Sequence, residues 1–182
     1  ALGTVPTTIV PAVAGMASAQ GEAELLDSLS VVPAGMLINA IFLSVWIYLP
    51  PRIQDMSVQR SLAVTTATAL VAWAIFGMIA IFCIGSASDS GLGARGIAVI
   101  GVILTAAFGI YLGWSPGDSP KGSREVSKSV LLARGGMAAT AIGASVWVAG
   151  LGYPLIAGLA SVFPAIFLTS MVALWISQGP SV

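Results

Sequence analysis

The chain has 182 residues, 57% of them hydrophobic, with seven Lys or Arg, seven Asp or Glu and no histidine. Its mean hydropathy of +0.99 is far above that of soluble domains, in which about a quarter of residues carry charge. Such a composition excludes a disordered chain, a nucleic-acid binder and a secreted disulfide scaffold. Cys83, the single cysteine, allows neither an internal disulfide nor a Cys-rich metal site. Without histidine there is no imidazole haem ligand, no His–zinc site and no His-based triad. No cofactor and no catalytic residue are expected, and the length suits one domain.

Residues 1–20 carry no charge, but Pro6 and Pro11 each remove a backbone donor and disfavour a regular helix. This stretch reads as a sixth span, a re-entrant segment or the stump of a longer chain. It lacks the basic region of a signal peptide, and an initial Ala points to processing or an earlier start. Five further stretches, 31–50, 61–85, 96–114, 133–150 and 153–177, are apolar and long enough to cross a ~30 Å hydrocarbon core at 1.5 Å per residue. The expected fold is therefore all-α, a polytopic transmembrane helix bundle in a single integral membrane domain, 1–182.

The connections support that division. Pro50-Pro51 ends the first span, and Arg52, Asp55 and Arg60 follow it. The uncharged run from Gly135 to Val182 is too long for one span, and Gly150-Leu151-Gly152-Tyr153-Pro154 supplies a turn that splits it. If the five spans alternate, loops 51–60 and 115–134 share one side. That side then collects every basic residue except Arg95, so it is expected to be cytoplasmic, or the matrix or stromal side in an organelle. Glu22, Glu24, Asp27 and Asp89 fall opposite. Trp46, Tyr48, Tyr111, Trp114 and Trp175 lie at the basic-side ends of their spans, and Trp147 and Tyr153 at the other ends, as an aromatic belt would place them. Trp73 is mid-span and needs a hydrogen-bond partner or a polar cavity.

Pro11–Ser18 and Pro154–Ser161 share a proline, two alanines, a glycine and a serine in register, and Pro33-Ala34 and Pro164-Ala165 follow them. This similarity reads either as a parallel repeat, of the kind some transporter folds use, or as chance in an Ala/Gly/Val-rich chain. Pro164 cannot donate to the Ala160 carbonyl. The freed carbonyl needs a partner within the membrane, and a broken helix of this kind can build a solute or ion site; a packing kink is the plainer reading.

Asn39, Thr169 and Ser170 are the polar candidates within spans, and with Pro164 they form the expected substrate-binding set. Interhelical glue is the default role of a buried amide. Thr65, Thr66, Thr68 and Thr105 read as hydroxyls bonded back to their own helices. Gly135, Ala139 and Gly143, and beside them Gly136, Thr140 and Ala144, recur every four residues. These small-residue faces let other membrane helices, or a second copy of the chain, approach closely. Arg134 can snorkel to the interface. The Lys121–Lys128 stretch is a weak site for anionic headgroups.

No Asp, Glu, Lys or Arg lies inside a span, whereas proton relays and voltage sensors require ionisable groups there. Nucleophilic catalysis lacks a base, and Gly91-Leu92-Gly93 lacks the strand–helix context of a dinucleotide site. The expected partners are the lipid bilayer and other membrane helices. The expected function is transport of a small neutral or organic solute. The alternative is a non-catalytic membrane subunit of a larger respiratory or photosynthetic complex.

Overall fold

A computed structural model describes residues 9–88, 93–114 and 128–178. Among them 89% are helical and none is in a strand. The helices are α1 (Ile9–Ala19), α2 (Glu22–Ser30), α3 (Val32–Tyr48), α4 (Val58–Ser88), α5 (Gly93–Gly113), α6 (Lys128–Gly150), α7 (Pro154–Ser161) and α8 (Ala165–Gln178), with a 3₁₀ turn at Pro50–Arg52.

Local chemistry accounts for the ends. Pro11 sits in the first turn of α1, where a missing N–H costs no intrahelical bond, so the expected disruption does not occur. The Glu24 carboxylate accepts from the Gly21 amide at 3.1 Å, and Glu22 and Glu24 complement the dipole at the start of α2. Val31 keeps helical angles, φ −79° and ψ −21°, and Pro33 lies in the first turn of α3. The chain from Glu22 to Arg52 thus reads as one membrane-length stretch, longer than the expected 31–50, and it takes in Glu22, Glu24 and Asp27 where no carboxylate was expected. Pro50 stops it, and the Arg52 guanidinium donates to the freed Tyr48 carbonyl. Between α6 and α7, Gly152 turns with φ +81°, a conformation glycine adopts without a Cβ penalty. Its amide donates to Ala149, and Pro154 opens α7.

Four stretches are long and apolar enough to cross a membrane: Glu22–Arg52, Val58–Ser86, Lys128–Gly150 and Pro154–Ile176. They correspond to four of the five expected spans. The remaining one, 96–114, falls on α5, whose apolar stretch Ala98–Tyr111 is shorter. The described part of α1, 11 residues, reaches about 16 Å. Residues 1–8, Asp89 and most of loop 115–134 lie outside the described residues. Large apolar side chains on α4, α5 and α6, among them Phe82, Ile103 and Leu132, are exposed. Such surfaces suit lipid contact and would be a liability in water.

The centre is built from two interrupted helices lying side by side, α2–α3 and α7–α8. Their contacts advance together along both chains. A Cβ on Gly158 would meet the Ser28 carbonyl, one on Gly35 would meet Val162, and the rings of Trp46 and Trp175 lie 5.8 Å apart. The two therefore run parallel. Val31 and Val162, at the two interruptions, share one buried cluster with Ile38, Ile84 and Leu159. On the flanks, α4 packs against α3 through Ala69. α5 packs against it where Gly101 meets Pro33. α1 packs on α6, with Ala12, Met16, Ala149 and Ala157 forming a second buried cluster.

Candidate functional site

The interruption in α7–α8 is shaped by Pro164. Without an N–H at that position, the helix stops at Ser161 and restarts at Ala165. Phe163 donates to the Ala160 carbonyl at 3.2 Å, which satisfies the acceptor that Pro164 cannot reach. The Pro164 carbonyl then receives the Leu168 amide at 2.8 Å and opens α8. Pro164 is fully buried. The sequence expectation of a freed carbonyl is met at a neighbouring position, Val162.

Asn39 answers that carbonyl. Its Nδ2 donates to the Val162 oxygen at 2.9 Å, and its Oδ1 accepts from the Trp73 indole at 2.9 Å. The amide is only 6% exposed and bridges three elements: α3, α4 and the α7–α8 break. Trp73 thereby gains the partner its mid-span position requires, and its ring lies edge-on to Phe163 at 5.2 Å. In a low-dielectric interior such bonds are strong electrostatically, and leaving either partner unpaired is costly.

Thr169 and Ser170 are not drawn into this knot. The Thr169 hydroxyl bonds back to Ala165 at 2.8 Å, shared with Ile166 at 3.1 Å, and Ser170 bonds back to Ile166 at 2.6 Å. Of the four expected site residues, the fold brings together Asn39 and the break at Pro164. It adds Trp73, Val162 and Phe163, which sequence reasoning did not place in the site. One signal for the break was available: Ser30-Val31-Val32-Pro33-Ala34 matches Ser161-Val162-Phe163-Pro164-Ala165 at every position but the third. Both serines also bond back three residues at 2.7 Å, to Asp27 and Gly158. The structural counterpart of α7 is thus α2, whereas the block Pro11–Ser18 forms the separate helix α1.

Beside the knot lies a lateral cleft of about 640 Å³. Trp73, Phe163 and Ala160 form one wall, and the small-residue row Gly136, Thr140 and Ala144 of α6 forms the other. Thr140 bonds back to Gly136 at 2.9 Å, so this wall is smooth and largely apolar. The second row, Gly135, Ala139 and Gly143, is exposed, with open space over both glycines. Among the described residues no three His, Cys, Asp or Glu side chains gather as a metal site. The cleft is lined by ring faces and small side chains and by no ionisable group, while the Asn39 amide lies behind it, engaged by Val162 and Trp73.

Compared with protein-family models, curated proteins and solved structures, the chain matches none of them.

Proposed function

We propose that the chain is a multi-pass integral membrane protein that transports a small neutral or organic solute, alone or as part of a transporter. In this reading it has five spans, with α1 as a half-helix inserted beside α6. Loops 51–60 and 115–134 lie on the cytoplasmic side, or the matrix or stromal side of an organelle. The observation that carries the reading is the parallel pair of interrupted helices joined by Asn39 at the Val162 carbonyl. Parallel repeats and broken helices at mid-depth are recurrent means of building a solute site whose halves can rock against each other. The cleft walled by Trp73, Phe163 and Thr140 is the proposed solute-facing surface, and its lack of ionisable groups favours an uncharged solute.

The test is light-scattering flux in proteoliposomes against urea, glycerol and monosaccharides. Transport of at least one above the empty-vesicle rate is expected. A Thr140→Cys variant should lose that flux when a bulky thiol reagent labels the cleft, with Cys83 first replaced by Ser. Flux equal to empty vesicles for the whole panel, from a correctly folded protein, would remove the reading.

A second reading, a non-catalytic subunit of a larger membrane complex, draws on the uncovered row Gly135, Ala139 and Gly143. The size of the native particle after mild-detergent extraction separates the two. A particle containing this chain alone favours the transporter, and one containing several other subunits favours the subunit.

A further inference from the structure

Trp46 and Trp175 close the core at one end of the parallel pair. Both are nearly inaccessible, 2% and 4% exposed, and their rings meet at 76°. Neither indole N–H has an acceptor. Thr65 is fully buried, and its hydroxyl also lacks a partner. Stepping about two turns along α3 and α4 from the Trp73–Asn39 bond brings Thr65 level with Trp46, because the two helices form a hairpin. Its helix neighbours Leu62 and Ala69 pack in the same cluster as both tryptophans.

Gln20 Nε2 and Arg134 Nε also lack partners, but they lie on other elements; Trp46, Trp175 and Thr65 belong to one end of the core. Ser44, Thr105, Thr140, Thr169 and Ser170 all bond back to carbonyls of their own helices. Thr65 does not, and an indole N–H can only donate. A buried donor without an acceptor is rare because its lost hydration goes uncompensated. Two obligate donors and a hydroxyl thus belong to the same end of the core, and the one partner all three can share is an acceptor. A cation is excluded by the donors themselves.

A cleft opens one helical turn from Thr65. Ser61, one turn before Thr65, is buried and lines a cleft of about 490 Å³ with Pro50, Pro51, Gln54 and Met56. Arg52, Asp55 and Arg60 surround this mouth in sequence, for a net charge of one positive unit.

We propose that Trp46, Trp175 and Thr65 bind a single hydrogen-bond acceptor of water or halide size, admitted past Ser61 from the cleft at residues 50–58. A halide can accept both indole protons and the Thr65 hydroxyl proton at once. A water would accept the two indole protons on its two lone pairs and donate one of its own protons to the Thr65 oxygen.

The experiment is indole N–H NMR of the full chain in nanodiscs, with ¹⁵N-labelled tryptophan in halide-free gluconate buffer. The signals are assigned by Trp→Phe variants. If Trp46→Phe fails to fold, its signal follows by elimination from variants at positions 73, 114, 147 and 175. A saturable shift of the Trp46 and Trp175 signals on adding chloride or bromide, weakened tenfold or more by Thr65→Val, identifies a halide. No halide response, but cross-relaxation of both indole protons with a bound water, identifies water. If both protons show neither response, with the other three signals in their folded positions, the site does not exist.

Discussion

The side chain of Asn39 reaches the carbonyl of Val162 at 2.9 Å, joining two helices separated by 123 positions in the chain. The bond sits where Pro164 has interrupted the second helix, so a local backbone defect is repaired by a residue from elsewhere. The Asn39 oxygen is occupied in turn by Trp73. One amide therefore holds together α3, α4 and the α7–α8 break, and its cost in hydrocarbon is offset by two good bonds.

Asn39→Ala is expected to destabilise the folded protein by about 1–2 kcal/mol, because both the Val162 carbonyl and the Trp73 indole lose their partners. Trp73→Phe, which keeps a ring against Phe163, should cost about 1 kcal/mol. Since the residues share a bond, the double variant should cost less than the two single losses together. Reversible unfolding of all four proteins in mixed micelles measures the coupling. Strict additivity would mean that the Asn39–Trp73 bond contributes nothing.

Much of this arrangement was legible where the signal is local. The turn at Gly150–Pro154, the stop at Pro50 and the interruption at Pro164 all follow from glycine and proline chemistry within a few residues. Trp73 announced that it needed a partner, and Asn39 that it faced protein; their pairing is tertiary and left no trace in spacing. Glu22, Glu24 and Asp27 give α2 the composition of a loop, yet the structure makes it continuous with the first span. Tyr48, Tyr111, Trp114, Trp147 and Tyr153 are exposed as belt residues should be, but Trp46 and Trp175 are buried. Sequence gives a residue's depth along a span well, and its rotation about the helix axis poorly when every face is apolar.

Glycines at the helix contacts should differ sharply in their tolerance of alanine. At Gly158 the added carbon would meet the backbone of Ser28, which cannot swing aside, so a loss of about 3 kcal/mol or more is expected. At Gly35 it would meet the side chain of Val162, and a smaller loss, about 1–2 kcal/mol, follows if that rotamer yields. At Gly143 there is open space, and alanine should be neutral or slightly stabilising, since glycine is a poor helix former. Melting temperatures in detergent should fall in the order Gly143→Ala, Gly35→Ala, Gly158→Ala. A Gly158→Ala protein as stable as the parent would refute the close packing of α2 on α7.

Sidedness can be read with membrane-impermeant thiol reagents on a Cys83→Ser background. Asp55→Cys should label from one face of sealed vesicles, and Glu24→Cys and Tyr153→Cys from the other. All three positions are exposed, so failure to label would report membrane topology and not burial. Labelling of Asp55 and Tyr153 from the same face would break the assignment of α4, α5 and α6 as three successive crossings.

The uncovered row Gly135, Ala139 and Gly143 makes the last prediction. An exposed stripe of small residues invites close approach by another helix, because backbones can then meet without side chains between them. In Ala139→Leu, a bulky branch would stand in the middle of that stripe. Ala139 is exposed, so thermal stability of the isolated protein should change by less than about 0.5 kcal/mol. Association should suffer instead: native particles that contain a second copy or another subunit on this face should shift to the monomer mass in detergent. Equal masses for Ala139→Leu and the parent would mean that lipid, not protein, covers this face.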